Sequence, residues 1–168
     1  MIKIPLRDKS GKIVAYSLID DDDAELASRR WYRAKNGYAV CSIRPWKGVR
    51  RHTSLYLHVA VMGGKGVDHI NGNRLDNRKS NLRFATQSEN LQNRLVDGKR
   101  SLPRGVYKSR ERFMARARKD GKVHHLGVFD TPEEADAVVK KWRAENMPFS
   151  ADARAKEQVT RKREFVRE

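Results

Sequence analysis

From Met1 to Met62 the apolar residues come in short runs, IKIPL, IVAYSLI, GYAVCSI and SLYLHVAV, separated by polar stretches. Runs of this length, rich in β-branched and aromatic residues and bounded by turn or charged residues, predict strands. SGK marks a turn between the first two. The acidic run Asp20 to Asp23 and the basic stretch Arg44 to Arg51 separate the others. In TSLYLHVAV, Leu55, Leu57, Val59 and Val61 share one face if the segment is a strand. A short helix starting near His58 is the alternative. MGGKG then breaks whichever forms.

The pattern changes at Val67. VDHI reads as a short strand, NGNRLDNRKS as loop chemistry and NLRFAT as a second strand. Asn-Gly favours positive backbone angles, and Asn and Asp side chains tie loops to their own backbone. Thr86-Gln-Ser-Glu89 is a capping box, predicting a helix from about Gln87 to Leu95. DGKRSLP, residues 97–103, reads as a linker. RGVYKS, RFMARARK and KVHHLGVF then predict three strands, with a hairpin turn at Asp120-Gly121. In the middle strand Arg112, Met114, Arg116 and Arg118 face one way, and Phe113, Ala115 and Ala117 the other. Thr131-Pro-Glu-Glu134 starts a helix with a cap, a proline at the first helical position and a capping box. Ala135, Val138, Val139 and Trp142 give that helix one apolar stripe. Residues 150–168, charged and Ala-rich, read as an exposed helix or a disordered tail. The fold class expected is α+β.

Charge narrows the partners. The formal net charge is +16, which predicts attraction to polyanions, nucleic acid first and an anionic membrane surface second. No apolar run is long enough to span a bilayer, and no signal-peptide pattern opens the chain. The single cysteine, Cys41, excludes an internal disulfide and a zinc finger or knuckle. The scattered histidines give no zinc-ligand spacing. An intracellular, cytoplasmic protein with no membrane partner is expected.

The stretch VDHINGNRLDNRKSNLR has three readings. One is a plain polar hairpin loop. A second, a calcium loop counted from Asp68, fails because its third position is Ile70, where an oxygen ligand is needed. The third is metal-assisted phosphodiester cleavage. If the helix packs across the two strands, Asp68 and Asn90 can converge on one cation. One carboxylate and one amide suit magnesium, which keeps several waters. His69 can accept the proton of an attacking water. Neighbours on a flat strand point to opposite faces, so Asp68 and His69 share a site only if the strand end is twisted or bulged.

LHVAV, VDHINGNRLDN, SNLRFAT and SENLQN together resemble, in order, the motifs of the HNH nuclease family, specifically the phage homing endonucleases. The resemblance implies a ββα-metal unit over residues 63–96, supported by a β-rich part over 1–62. It implies metal ligands Asp68 and Asn90 and the general base His69. Asn81, the middle Asn of the motif, is implied to brace the loop rather than do chemistry. Asn71, Asn73 and Asn77 read as loop-formers. His58 matches an upstream histidine, for which a structural and an active-site role stand equal. With Asp first and Asn last, where other branches place His, magnesium or manganese is implied and zinc is not.

RGVY, FMARAR, HLGVFDT and PEEADAV, within residues 104–149, resemble the DNA-binding domain of plant ethylene-response factors, which lays a three-stranded sheet in the major groove. Arg112, Arg116 and Arg118 on one strand face fit that use, since arginine reads guanine bidentately there. By position, Arg104 and Arg118 match DNA-contacting arginines. His125 stands where the family has tryptophan, and Tyr107 where it often has arginine. Arg94, on the helix after the loop, is a further candidate contact, and Arg44, Lys47, Arg50 and Arg51 are candidate phosphate contacts. The expectation is a DNA endonuclease acting on double-stranded DNA in a phage-infected host cell, as a monomer that nicks or a homodimer that cuts both strands. The rivals are a non-catalytic DNA-binding regulator and an RNA-binding or RNA-cleaving protein.

Overall fold

The computed structural model describes residues 1–43, 53–94 and 101–165. Arg44, Lys47, Arg50, Arg51 and Leu95 lie outside the described residues, and the helix predicted to run to about Leu95 ends at Gln92, capped by Asn93. The chain divides into two compact units, Met1–Ala85 and Thr86–Glu168.

In the first unit a five-stranded sheet has the order β2-β1-β3-β4-β5. Its strands are β1 (Ile2–Arg7), β2 (Ile13–Ile19), β3 (Trp31–Arg33), β4 (Ala39–Ile43) and β5 (Thr53–Tyr56). β3 runs parallel to β1 and the other neighbours pair antiparallel. β3 escapes the periodicity reading because WYR is too short to show alternation. The acidic run forms a 3-10 helix over Asp21–Ser28, not a plain connection. Its Leu26 carbonyl accepts from Trp31 Nε1 at 2.7 Å, giving that indole a partner in the core.

The segment TSLYLHVAV is strand only as far as Tyr56. Helix α1, Leu57–Met62, follows and buries Leu57, His58 and Val61, a helical spacing. Gly63, at φ 66°, ends it in the left-handed region. α1 and Leu82 close one core with Ile4, Leu6, Ile19 and Trp31. β6 (Val67–His69) and β7 (Leu82–Phe84) form a separate antiparallel ladder, with Asp68 opposite Arg83 and His69 opposite Leu82.

The second unit begins with helix α2, Gln87–Gln92, whose N-terminus is closed by the Thr86/Glu89 capping box. Strands β8 (Val106–Ser109), β9 (Arg112–Lys119) and β10 (Lys122–Phe129) pair in the order β10-β9-β8. Helix α3, Pro132–Asn146, carries the second capping box. Its Ala135 and Val139 pack on Val106, Ala115 and Phe113. The expected stripe is corrected at one end. Val138 and Trp142 are only half-buried, and Arg143 is buried instead, ion-paired with Asp152 at 2.9 Å. Trp142 lies against the His124 ring, with centroids 4.8 Å apart. Helix α4, Ala151–Phe165, decides the helix-or-tail alternative for those residues in favour of a helix.

Gly105 is the tightest position of this unit. It sits at φ +93°, and a Cβ there would meet Arg116 O at 2.6 Å and Val139 Cγ1 at 2.8 Å. The first contact is backbone and cannot yield cheaply. Gly105→Ala is expected to destabilise the second unit by about 2 kcal/mol or more, read as a lowered urea midpoint at unchanged slope.

Candidate functional site

The polar loop between β6 and β7 folds on its own amides. Asn71 Oδ1 accepts from Asn73 N at 2.7 Å, and Asn73 Oδ1 from Leu75 N at 3.1 Å, two local turns. Asn81 reaches further. Its Oδ1 accepts from Asn71 N at 3.0 Å and its Nδ2 donates to Asp76 O at 2.8 Å. Asp76 is buried and takes both Arg78 Nε and Nη2 at 2.7 Å. The Arg78 guanidinium accordingly holds the Asp76 carboxyl below its ordinary range. The acidic run braces the far end, where Asp20 Oδ2 accepts from Lys79 N at 2.7 Å and Asp23 pairs with Lys79 Nζ at 3.1 Å.

The β6–β7 register carries no bulge, so Asp68 and His69 leave opposite faces of the ladder. Asp68, buried, accepts from Arg83 Nη2 at 2.9 Å and Nε at 3.2 Å, across the pair. His69, 4% exposed, enters a ring cluster. Its centroid lies 5.1 Å from His58 and 5.7 Å from Tyr38. Tyr38 and Tyr56 flank His58 at 5.1 and 5.4 Å. The bulge that would turn both side chains to one side is not there, and the Asp68 charge raises His69 only against a larger lowering by burial.

Burial dominates both histidines. Desolvation lowers His69 below 6.5, opposed by its Asn77 hydrogen bond and by the Asp68 and Asp76 charges, with the Arg74 charge lowering it further. Desolvation first, and the His69 charge second, push His58 down to about 4. Both rings are therefore neutral near pH 7, the form in which imidazole can take up a proton. Among the described residues His58 Nδ1 is buried without a hydrogen-bond partner, which makes protonation there costlier still.

Asn77 was expected only to shape the loop, yet its Oδ1 lies 3.0 Å from His69 Nε2. Composition could not single it out among the neighbouring amides. Asn90 is exposed on α2 and belongs to the second unit, so the two expected metal ligands come from different units. The donor types, one buried carboxylate and one amide oxygen, fit a hard cation that retains water. Among the described residues no three His, Cys, Asp or Glu side chains form a metal-holding group. A cation at Asp68 would compete with Arg83 for the carboxylate.

In the second unit, Arg116 lies directly opposite His125, and Arg118 opposite Val123. The buried Ala115 and Ala117 face the helix, so Met114, Arg116, Arg118, Val123 and His125 share the outer sheet face. Tyr107 joins them opposite Met114, with the Arg116 guanidinium 5.8 Å from its ring. Arg112 is ion-paired with Asp130 at 2.7 Å. Arg104 is placed differently. It donates to the carbonyls of Leu91, Gln92 and Arg94 at 3.0, 3.3 and 2.6 Å, bracing the end of α2. It would have to release them to reach a phosphate. Arg94 is exposed and lines, with Arg104, Arg116, Arg118 and Lys119, a groove of about 1000 Å³.

Residues 61–92 match the model of the HNH endonuclease family. Over 115 residues the chain is 31% identical to an uncharacterised HNH endonuclease of Acanthamoeba polyphaga mimivirus, covering 65% of this chain and 58% of that relative. The match thus spans less than two thirds of the relative's length. No solved structure matches the chain.

The lowered His58 value has a consequence for stability. Between pH 6.5 and about 4 the unfolded chain binds a proton at His58 that the folded chain refuses. The unfolded state therefore gains as pH falls through that window, and His69 acts in the same direction. The melting temperature is expected to drop between pH 7 and pH 4.5, and His58→Gln is expected to flatten the drop. An equal pH dependence in the variant would contradict this.

Proposed function

We propose that the chain is a metal-dependent DNA endonuclease of the homing type, phage-encoded, whose second unit reads DNA with a sheet like that of ethylene-response factors. The observation that carries the reading is a buried, neutral His69 beside Asp68 at the head of an amide-braced loop, inside the segment that matches the HNH endonuclease family.

In this reading His69 is the general base. It takes the proton of an attacking water as the water oxygen bonds to phosphorus. The bridging phosphorus–oxygen bond breaks, and its electron pair leaves with the departing oxygen. Asp68 and Asn90 would hold the metal, magnesium or manganese, which supplies charge stabilisation at the phosphate when bound. Asn81 braces the loop that carries the base. Arg116, Arg118 and His125, with Arg112 at the edge, form the DNA-facing surface, and Arg94 adds a phosphate contact. The second unit supplies the sequence choice that one metal site cannot make, by tethering the cutter near its target.

Purified protein incubated with supercoiled plasmid and magnesium tests the reading. Wild type is expected to give nicked or linear product, and excess chelator to stop the reaction until magnesium is restored. His69→Ala is expected to lose cleavage by about 10²-fold or more while keeping DNA affinity. Wild-type rates in that variant, or activity in chelator, would overturn the base or the metal assignment respectively. Intact DNA binding with no cleavage under any divalent ion favours the non-catalytic regulator.

Arg118→Ala is expected to weaken binding at the recognition site by about 1–3 kcal/mol. Affinity should also fall steeply with salt. A flat salt response would contradict the cationic-face reading.

A further inference from the structure

Asn77 and Ser17 stand 60 residues apart in the chain, yet both are fully buried and in contact. Asn77 Nδ2 lies 2.7 Å from Ser17 Oγ and 3.4 Å from Arg74 O, and Ser17 Oγ lies 2.8 Å from Leu75 O. Every direction in this chain of hydrogen bonds is forced. Backbone carbonyls only accept, so the Ser17 hydrogen points to Leu75 O and the Ser17 lone pairs face Asn77. The Asn77 group facing Ser17 and Arg74 O must then be the amide nitrogen. That turns Oδ1 toward His69 Nε2, at 3.0 Å. A lone pair on Nε2 would set two acceptors against each other at that distance.

We propose that Asn77, its amide clamped by Ser17, is a positioning residue that fixes the His69 ring in the tautomer carrying hydrogen on Nε2 and so makes Nδ1 the proton-accepting atom. The assignment rests on His69 as the base of the endonuclease. A neutral ring has one N–H, so hydrogen on Nε2 leaves the lone pair on Nδ1. After Nδ1 takes a proton, Oδ1 still accepts from Nε2–H, and the charged ring keeps its place. Asn77 does for this imidazole what a carboxylate does in a serine-protease triad, without adding a buried charge. The N-terminal sheet thereby supplies the residue that sets the orientation of the amide, since Ser17 belongs to β2.

Long-range proton–nitrogen correlation spectra of ¹⁵N-labelled protein at pH 8 read the tautomer without reference to activity. The His69 signals are assigned by their loss in His69→Gln. Wild type is expected to show the Nε2–H pattern. Ser17→Ala is expected to shift it toward a mixture and Asn77→Ala to lose the preference. On plasmid, Ser17→Ala and Asn77→Ala are expected to lower kcat by about 10- to 100-fold with KM unchanged. If Asn77→Ala does not fold, the wild-type spectrum and Ser17→Ala decide. An Nδ1–H pattern in a wild type that cuts DNA overturns the pair alone. Wild-type kcat in Ser17→Ala does the same. A wild type that never cuts overturns the endonuclease reading and with it the role of the pair.

Discussion

Two backbone hydrogen bonds hold the polar loop to the sheet: Leu18 N to Leu75 O and Asn77 N to Leu18 O, both 2.8 Å. The loop has almost no apolar residue between Ile70 and Leu82, so it has no core of its own to fold around. It gains order by joining the edge of β2 as a short parallel bridge at Leu18 and Asp76. That bridge covers part of an edge that would otherwise expose unpaired backbone groups. It also brings Ser17, whose carbonyl-locked hydroxyl faces Asn77, into the loop. The geometry of His69 therefore depends on a strand more than fifty residues upstream.

Charge is partitioned in the same molecule. The formal charge is +16, and among the described residues most arginines and lysines are exposed, where their charge attracts polyanions and is screened by salt. Around His69 the surroundings are aromatic and amide, and burial keeps both histidines neutral. An imidazole takes up a proton only in its neutral form, and the burial that lowers His69 favours that form near pH 7. Of the nearby carboxylates, Asp68 is balanced by Arg83 across the ladder and Asp76 by Arg78. A buried carboxylate without such a partner would be unstable as an anion.

What the sequence revealed follows from the range of each signal. The alternation of β9, both capping boxes and the Asp120-Gly121 hairpin are local patterns, and each lies where its residues placed it. The switch from strand to helix at Leu57 was open, because Leu55, Leu57 and Val61 satisfy a two-residue period as well as part of a helical one. Packing of Leu57 and Val61 into the core decided it. The 3-10 helix at Asp21–Ser28 has no apolar period to read. Arg104 matches a DNA contact by position, and its hydrogen bonds to carbonyls at the end of α2 are a second use that position alone does not show. Asn77 was indistinguishable by composition from Asn71 and Asn73, since its partners are contributed by chain far away.

That contrast separates the amides of the loop by kind. Asn71 and Asn73 each accept from a backbone N–H two residues on, a bond that Asp or Ser can also make. Asn71 adds only a long donation to Asp76 Oδ2 at 3.4 Å, whereas Asn81 and Asn77 accept at one end and donate at 2.8 and 2.7 Å at the other. No other side chain of that length except Asn offers both without charge. At Asn81 the two ends tie backbone to backbone and keep the loop closed. At Asn77 one end meets the His69 ring, 3.0 Å away, so the same chemical property reaches a titratable group and not only the loop backbone. An Asn-rich loop thus holds two local turns, one brace and one amide set against an imidazole.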